Sequence, residues 1–278
     1  MRLSICHRTT YIFSRPVFLD PHFLRLRPRS DPAQEIGDYT LDISPETAGR
    51  SNGLDPEGNW LTCIWFNDLV EKLELTAEFA VETRRSDPFD FLLTTPAFSD
   101  VASLYPDHLR ERLGPTLVPL GCAATAELVR SVSPGESLLD FLWGLNRAVH
   151  ERCRVVVREW GDPWPPAQTL AEGCGACRDL AVVFIEACRS VGIAARFVSG
   201  FVGGDTGGHS HFLHAWAEAY LPGAGWRGFD PTHGLAVTDQ HVCVAASSSH
   251  HGVTPVSGTF RGTDATSILE TEIRLDCS

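Results

Sequence analysis

Two cysteines lie three residues apart in the segment Gly-Cys-Gly-Ala-Cys-Arg-Asp at residues 173–179, ahead of an apolar run that ends at Gly192. From Leu180 onwards, apolar residues recur at spacings of three and four, which is typical of a buried helix. Cys177 therefore occupies the first turn of this predicted helix. Unpaired backbone N–H groups and the positive end of the helix dipole lie there, and both favour the nucleophilic thiolate over the thiol. The position of Cys177 indicates a thiol that attacks a substrate.

The spacing of Cys174 and Cys177 also occurs in zinc ribbons and in thioredoxin-like redox pairs. A zinc ribbon requires a second Cys-x-x-Cys or a spaced histidine pair, and His250 and His251 are adjacent. No strand-helix-strand opening closely precedes the motif, which argues against the redox pair. We therefore expect no metal and no cofactor. A cysteine in an apolar context is otherwise a small core residue, and Cys188 on the same helix fits that role.

A histidine and an aspartate follow on two predicted strands. His214 lies on one face of the first strand, whose other face consists of alanines that can lie flat against a helix. A Pro-Gly-Ala-Gly turn at residues 222–225 reverses the chain, and the partner strand ends at Asp230. With the turn centred near Pro222, we expect His214 and Asp230 to lie directly opposite each other.

These three residue types match the needs of amide cleavage by a thiol. That chemistry requires a thiolate, an imidazole that protonates the leaving amine, and a group that fixes the imidazole tautomer. Cys177, His214 and Asp230 supply these groups in chain order. The backbone N–H of Cys177 points out of the helix start and is the expected first donor to an oxyanion. His233 follows the second strand and is a candidate for contacting and orienting one of these three residues without taking part in the reaction.

The elements that must position these residues differ along the chain. Residues 1–90 alternate apolar and polar side chains in six or so predicted strands, which favours a small antiparallel sandwich. We interpret them as a structural or docking module, because we identify no catalytic pattern there. Residues 91–119 are predicted to be a linker with a helical connection, and residues 120–278 to be the catalytic domain.

Two further features lie between the linker and Cys177. A Ser-Pro-Gly-Glu capping box at residues 133–136 predicts the start of a helix. The expected inner stripe of that helix is Leu138, Leu142, Leu145 and Val149. A rigid aromatic loop at residues 160–166, Trp-Gly-Asp-Pro-Trp-Pro-Pro, then approaches the nucleophile.

Composition excludes several classes of function. The chain has 278 residues, a formal charge of −12 and a pI near 5.3, which argue against nucleic acid or an anionic membrane as the main partner. It has no apolar run of membrane-spanning length, and its first residues are polar where a signal peptide is apolar. Nine scattered cysteines indicate a reduced protein rather than a disulfide scaffold. We therefore expect a cytoplasmic location.

Four motifs in order resemble the bacterial transglutaminase-like superfamily, within the clan of papain-like cysteine peptidases. They are Gly-Ala-Cys-Arg-Asp at 175–179, Ala-Ala-Arg-Phe-Val-Ser-Gly at 194–200, His-Ala-Trp at 214–216 and Gly-Phe-Asp-Pro-Thr at 228–232. Each motif alone is weak, whereas four in order at sensible spacing are specific. The resemblance covers residues 120–275, and the β-rich start is similar to the N-terminal region that often precedes this domain in bacteria.

The resemblance implies an α+β fold with an N-terminal antiparallel β-sandwich-like domain. A papain-like core follows, in which the nucleophile lies at a helix N-terminus packed on an antiparallel sheet. By resemblance, Cys177 is the nucleophile, His214 the base and acid, and Asp230 the orienting carboxylate. At residues 247–251 the chain has Ser-Ser-Ser-His-His where relatives often carry an acidic or aromatic residue, which leaves the specificity of the cleft rim open.

The second oxyanion donor has several candidates. Transglutaminases of the clan use an indole upstream of the cysteine, so the resemblance points to Trp160 or Trp164. Gln168 is a papain-like alternative. Each of these residues is equally consistent with a packing role.

The sequence predicts thiol-dependent cleavage or transfer at an amide bond of a peptide or isopeptide, through an acyl-enzyme on Cys177. Water is the default acceptor, because the sequence identifies no amine site. The alternatives are an amine-accepting transglutaminase and a non-catalytic protein-interaction scaffold, and the intact triad argues against the scaffold. We expect a peptide or protein substrate as partner.

Overall fold

The computed structural model of the chain describes residues 1–93, 104–132, 137–158, 160–203 and 213–277. The strands of the first half are β1 (Arg2–Leu19), β2 (His22–Leu24), β3 (Gln34–Ser44), β4 (Gly49–Leu54), β5 (Trp60–Trp65) and β6 (Val70–Thr83). The α-helices are α1 (Asp107–Leu113), α2 (Ala123–Ser131), α3 (Leu138–Arg152), α4 (Pro166–Glu172) and α5 (Cys177–Ser190). Two 3₁₀ turns span Gly114–Leu117 and His250–Val253.

The remaining strands lie around and after the helices. They are β7 (Arg154–Val155), β8 (Cys174–Gly175), β9 (Ala195–Val202), β10 (His214–Leu221), β11 (Gly225–Asp230), β12 (Leu235–Ala236), β13 (His241–Ser247), β14 (Val256–Ser257), β15 (Phe260–Arg261) and β16 (Ser267–Cys277). None of the helices in the described ranges combines the length and apolar character that a membrane span requires.

The N-terminal strands form two antiparallel sheets that share one apolar core. One sheet has the order β15-β1-β6-β3 with β16 also paired to β1, and the other has the order β14-β2-β5-β4. Because side chains alternate between the faces of a strand, every second residue points inward. Fully buried members of this core are Leu3, Ile64, Leu73, Leu75 and Val81. The predicted β-sandwich-like region is confirmed.

The C-terminal strands return to these sheets. Strand β16 pairs with β1 from Leu3 opposite Cys277 to Phe13 opposite Ser267. Strands β14 and β15 pair with β2 and β1. The structure therefore places residues 256–277 in the N-terminal sheets, whereas the sequence assigned all residues from 120 to 278 to the catalytic domain. Pairing between such distant segments leaves no local sequence signal, so periodicity missed this return.

The part of the chain that contains Cys177 is a helix packed on an antiparallel sheet, as the resemblance implied. Its five strands have the order β12-β11-β10-β9-β13. The alanine face of β10 is buried against α5, whose inner stripe belongs to the same core. Within the predicted connection at 91–119, the structure describes α1 and the turn Gly114–Leu117, while residues 94–103 lie outside the described residues.

Helix α3 begins with a capping box, although not the one that the sequence suggested. The predicted box at residues 133–136 lies outside the described residues. In the structure, Ser137 Oγ accepts the N–H of Asp140 at 3.1 Å, and the Asp140 carboxylate accepts the N–H of Ser137 at 3.0 Å. This reciprocal pair satisfies two backbone donors at the start of α3.

Two buried amide side chains of the N-terminal sheets close the free edge of β13. Gln34 donates to Cys243 O at 2.7 Å and accepts from Cys243 N at 2.8 Å. Asn59 makes the same pair of bonds with Ala246, both at 2.9 Å. These side chains satisfy the edge backbone as a neighbouring strand would.

Candidate active site

The approach to Cys177 is held by backbone pairing and close packing. Strands β7 and β8 pair in parallel, with Arg154 N donating to Gly173 O at 2.9 Å and Val156 N to Gly175 O at 3.0 Å. A Cβ at Gly175 would lie 2.8 Å from Asp179 Cβ, so only glycine fits against the first turn of α5. Cys177 is the first residue of α5 and is partly buried. These contacts therefore fix the position of the Cys177 thiol at the start of α5.

Asp179 organises the loop ahead of the nucleophile. Its side chain is fully buried, and Oδ2 accepts the N–H of Ala176 at 2.7 Å. Oδ1 accepts the N–H of Trp164 at 2.7 Å and pairs with Arg158 Nη2 at 2.5 Å. Asp179 therefore satisfies one backbone donor at the start of α5 and one in the loop ahead of it.

Cys177, His214 and Asp230 come together in the structure. The Cys177 thiol interacts with the His214 imidazole, whose Nε2 lies 2.8 Å from Asp230 Oδ2. This contact leaves Nδ1 of His214 for the thiol. The three groups form the continuous chain of thiol, imidazole and carboxylate that nucleophilic thiol chemistry requires.

The register between β10 and β11 differs from the predicted one. Leu221 pairs with Gly225 and Ala217 with Phe229, so the turn is centred on Gly223 rather than on Pro222. Gly223 and Gly225 both adopt positive φ, at 88° and 75°, a conformation that glycine accommodates without strain. These two glycines determine where the chain turns. Extending the ladder places Asp230 opposite position 216. His214 lies two residues before position 216 on the same face of β10. It therefore contacts the Asp230 carboxylate diagonally across the two strands.

The electrostatics of the site favour an ion pair. Burial raises the pKa of Cys177, but hydrogen bonds from His214 and the N–H of Ala215, with the charge of His214, lower it below the ordinary value. Burial lowers the pKa of His214, while hydrogen bonds to Asp230 and Cys177 raise it to about 10. The favoured neutral-pH state is a thiolate beside an imidazolium.

Three histidines converge on one buried carboxylate. Asp230 Oδ2 contacts His214 Nε2 at 2.8 Å, His233 Nδ1 at 2.7 Å and His241 Nε2 at 3.3 Å. Asp230 Oδ1 accepts the N–H of Thr232 at 2.9 Å. Burial raises the pKa of Asp230, but the three imidazole hydrogen bonds outweigh burial and hold it well below its usual range. The carboxylate is therefore charged and fixed in orientation.

His233 lies where the sequence placed it, beside the triad, with 47% of its side chain exposed. His241 is the contact that sequence reasoning missed. It is the first residue of β13, and its Nδ1 accepts the N–H of Thr238 at 3.4 Å, so its Nε2 carries the proton towards Asp230. Burial lowers the pKa of His241, which keeps this ring neutral. Nearly every residue of β13 is buried, so no alternation along this strand marks His241 as a partner of Asp230.

The indole of Trp216 packs against the rings of His214 and His241. It is fully buried and stacks on His214 with ring centroids 6.1 Å apart, and His241 meets it edge-on at 5.3 Å. A Cβ at Gly200 would lie 2.7 Å from the Trp216 ring, so glycine there makes room for the indole. The orientation of His214 is therefore set by packing as well as by Asp230.

The three candidates for the second oxyanion donor have other contacts. Trp160 is 53% exposed, and its carbonyl accepts a hydrogen bond from Arg158 at 3.2 Å. The backbone of Trp164 binds Asp179, and its ring lies under the Arg158 guanidinium at 4.7 Å. Gln168 is exposed on α4. The oxyanion role of each stays a prediction.

Comparison with known proteins identifies both halves of the chain. Residues 3–82 match the family described as the bacterial transglutaminase-like N-terminal region. Residues 128–231 match the transglutaminase-like superfamily. The second match contains Cys177, His214 and Asp230, and the first spans nearly all of β1 to β6.

Relatives and solved structures extend this likeness over the whole chain. An uncharacterized protein of Mycobacterium leprae is 24% identical over 275 residues, which cover 96% of each chain. An uncharacterized protein of Mycobacterium tuberculosis is 25% identical over 98% of this chain and 91% of its own. The crystal structure of a candidate cysteine protease from Cytophaga hutchinsonii covers all of this chain and 91% of its own, with a TM-score of 0.74 at 20% identity, and so shares the fold. Residues 128–231 are therefore similar to a transglutaminase-like core, and residues 3–82 to the bacterial transglutaminase-like region that precedes it.

Proposed function

We propose that the protein hydrolyses an amide bond of a peptide or isopeptide through an acyl-enzyme on Cys177. The observation that carries this proposal is the contact between His214 Nε2 and the buried Asp230 at 2.8 Å, with the Cys177 thiol interacting with the same imidazole. The match of residues 128–231 to the transglutaminase-like superfamily and the fold shared with a candidate cysteine protease support the same class of chemistry.

Acylation begins with attack of the Cys177 thiolate on the substrate carbonyl carbon. The carbonyl oxygen gains the negative charge, which the backbone N–H of Cys177 at the positive end of α5 is placed to stabilise. His214, protonated in the ion pair, gives its proton to the leaving nitrogen as the C–N bond breaks. An amine leaves, and a thioester to Cys177 remains with a neutral His214.

Deacylation reverses the proton flow. Neutral His214 takes a proton from water, and the hydroxide oxygen attacks the thioester carbonyl. The C–S bond breaks, a carboxylic acid is released, and the thiolate and imidazolium are restored. Asp230 holds the ring in place throughout and stabilises its charged form, because its own hydrogen bonds keep it ionised.

The direct test is a profile of peptide and isopeptide libraries with and without a primary amine. We expect hydrolysed products from the wild type and from Cys174→Ala, a matched control that removes the other thiol of the same segment, and none from Cys177→Ala. Incorporation of the amine in place of water would instead identify a transglutaminase. A Cys177→Ala protein that retains its whole biological effect would favour the scaffold.

We also propose a reducing, cytoplasmic setting with peptides or proteins as partners. All nine cysteines are free in the structure, and the charge of −12 disfavours nucleic acid and anionic membranes. Cell fractionation with an antibody to the protein tests the location. Recovery in a periplasmic or secreted fraction would contradict it.

A further inference from the structure

Outside the triad, three potential metal ligands from two segments meet at the rim of the catalytic half. They are the carboxylate of Asp162 and the imidazoles of His250 and His251, each offering one ligand atom, with all of these atoms within 4.8 Å of one another. The two imidazole rings lie with centroids 3.9 Å apart. None of these three residues takes part in the proposed thiol chemistry, so their convergence needs its own account.

The segment that carries Asp162 is fixed to the start of the nucleophile helix. The carbonyl of Asp162 accepts hydrogen bonds from both terminal nitrogens of Arg158, each at 3.0 Å. Arg158 in turn pairs with the buried Asp179 in the first turn of α5. The position of Asp162 is therefore tied to the same buried carboxylate that positions Cys177.

The segment that carries the two histidines is equally well anchored. The turn His250–Val253 begins at Ser249, whose Oγ accepts the N–H of His251 at 3.4 Å, and it ends at the buried Val253. A Cβ at Gly252 would lie 2.1 Å from Ser247 Oγ, so the turn is closed tightly against the end of β13. Both halves of the cluster are thus held before any ligand arrives, which reduces the entropy lost on binding.

The donor set selects a class of ion. Two imidazole nitrogens and one carboxylate oxygen suit Zn²⁺ and its borderline neighbours, whereas Ca²⁺ and Mg²⁺ prefer oxygen ligands throughout. The charge of Arg178 acts on Asp162 and opposes a cation, which favours reversible over structural binding.

We propose that Asp162, His250 and His251 form a Zn²⁺ site that links the loop ahead of Cys177 to the turn at residues 250–253. Water completes the coordination, since three protein ligands leave a tetrahedral position open. The site differs from the sequence-based expectation of no metal, which considered only the spacing of the two histidines. It does not depend on the thiol chemistry, because it shares no residue with the triad.

A second cluster must be separated from this one in any experiment. His214, Asp230 and His233 also bring ligand atoms within 4.8 Å of one another, and Cys177 lies beside them. His214 and His233 are already hydrogen-bonded to Asp230. Zinc measurements are therefore made on the full chain both as wild type and with Cys177→Ala, which removes the thiolate ligand.

The experiment is a Zn²⁺ titration in competition with a chromophoric chelator. In the Cys177→Ala background we expect one Zn²⁺ per chain, and affinity at least tenfold weaker after the double change His250→Gln and His251→Gln or after Asp162→Asn. His108→Gln, which alters an exposed histidine on α1, and His233→Gln should bind as the parent does. Unchanged affinity in the double variant, or loss in His233→Gln, would overturn the proposal.

Two further measurements test whether the variants are folded and which side chains bind the metal. The thermal midpoint of the parent should rise with added Zn²⁺ by mass action, that of the double variant should not, and both should melt together without metal. Co²⁺ in place of zinc should show ligand-field absorption without the intense thiolate charge-transfer bands of a cysteine site. Thiolate bands in wild type that vanish in Cys177→Ala, with no remaining bound cobalt, would place the metal at the triad instead.

Discussion

His241 Nε2 lies 3.3 Å from Asp230 Oδ2, the same oxygen that His214 uses. Because His241 is neutral and buried, it supplies a fixed N–H that restricts rotation of the carboxylate. We expect His241→Phe to slow turnover and Cys177 alkylation by roughly tenfold, the effect of about one lost hydrogen bond to a charged group. His241→Gln, which keeps a side-chain N–H donor, should recover most of this rate. Equal defects in the two variants, measured as kcat and alkylation rate, would contradict a positioning role.

The ion pair predicts an unusual pH profile for alkylation of Cys177. At pH values below its pKa, an ordinary thiol reacts tenfold faster for each unit by which the pH rises. Because the pKa of Cys177 is lowered, its alkylation rate should instead be constant from neutral pH towards 9. In His214→Ala, burial remains and the contributions of His214 that lower the pKa are lost, so the rate at pH 7 should fall on the order of 100-fold. Rates of iodoacetamide labelling, resolved by peptide mass analysis, measure both profiles. A tenfold rise per unit in the wild type would refute the ion pair.

Removal of the Asp179 carboxylate should loosen the approach to the nucleophile. Asp179→Ala leaves the N–H groups of Ala176 and Trp164 without their acceptor and Arg158 without its partner, at an expected cost of about 3 kcal/mol in the free energy of unfolding. Asp140→Ala changes the equivalent residue of the α3 capping box, which is exposed, and should cost about 1 kcal/mol or less. Denaturant unfolding compares the two; similar losses would show that burial of Asp179 is unimportant.

His7 should make the protein sensitive to mild acid. Burial lowers its pKa from 6.5 to about 4, so between these values the unfolded chain binds a proton that the folded chain does not. Its contribution to stability is complete above pH 6.5 and is lost as the pH falls towards 4. At pH 4.5 this loss is about 3 kcal/mol, which His7→Phe should remove. Urea unfolding at pH 7 and pH 4.5 provides the measurement, and an identical pH dependence in His7→Phe and wild type would exclude this origin.

Gly200 is predicted to be intolerant of even a methyl group. A Cβ there would lie 2.0 Å from Val242 O and 2.7 Å from Trp216, so Gly200→Ala must separate β9 from β13 or displace the indole. We expect a loss of about 2–3 kcal/mol, with slower alkylation of Cys177 because Trp216 supports His214. Gly53→Ala on β4 is the matched control, since a Cβ at Gly53 meets no atom within 4 Å. A difference of less than about 0.5 kcal/mol between the two variants would show that the strands adapt.

The positions of the three triad residues were predictable because each carries a local mark. Cys177 follows a glycine-rich approach at a helix start, His214 alternates with buried alanines, and Asp230 ends a strand before proline. The diagonal contact between His214 and Asp230 was not predictable, since it depends on which turn residues adopt positive φ. That choice shifted the centre of the turn by one residue.

What the sequence did not reveal depends on contacts between distant segments. His241 joins the triad only because β13 pairs with β9, and β16 joins the first sheet only because β1 offers it an edge. Asp162 and the histidine pair meet through the same kind of long-range arrangement. Strand pairing of this sort is decided by the packing of the whole core, so no window of local sequence contains it.

The amide bonds from Gln34 and Asn59 to β13 have a consequence for the behaviour of shortened chains. A protein that begins after residue 93 would lose both amides and present the backbone of Cys243 and Ala246 to its surroundings. Uncovered strand edges recruit strands from other molecules and so promote aggregation. We therefore expect the solubility of the core around Cys177 to depend on the N-terminal sheets, although these carry none of the proposed catalytic groups.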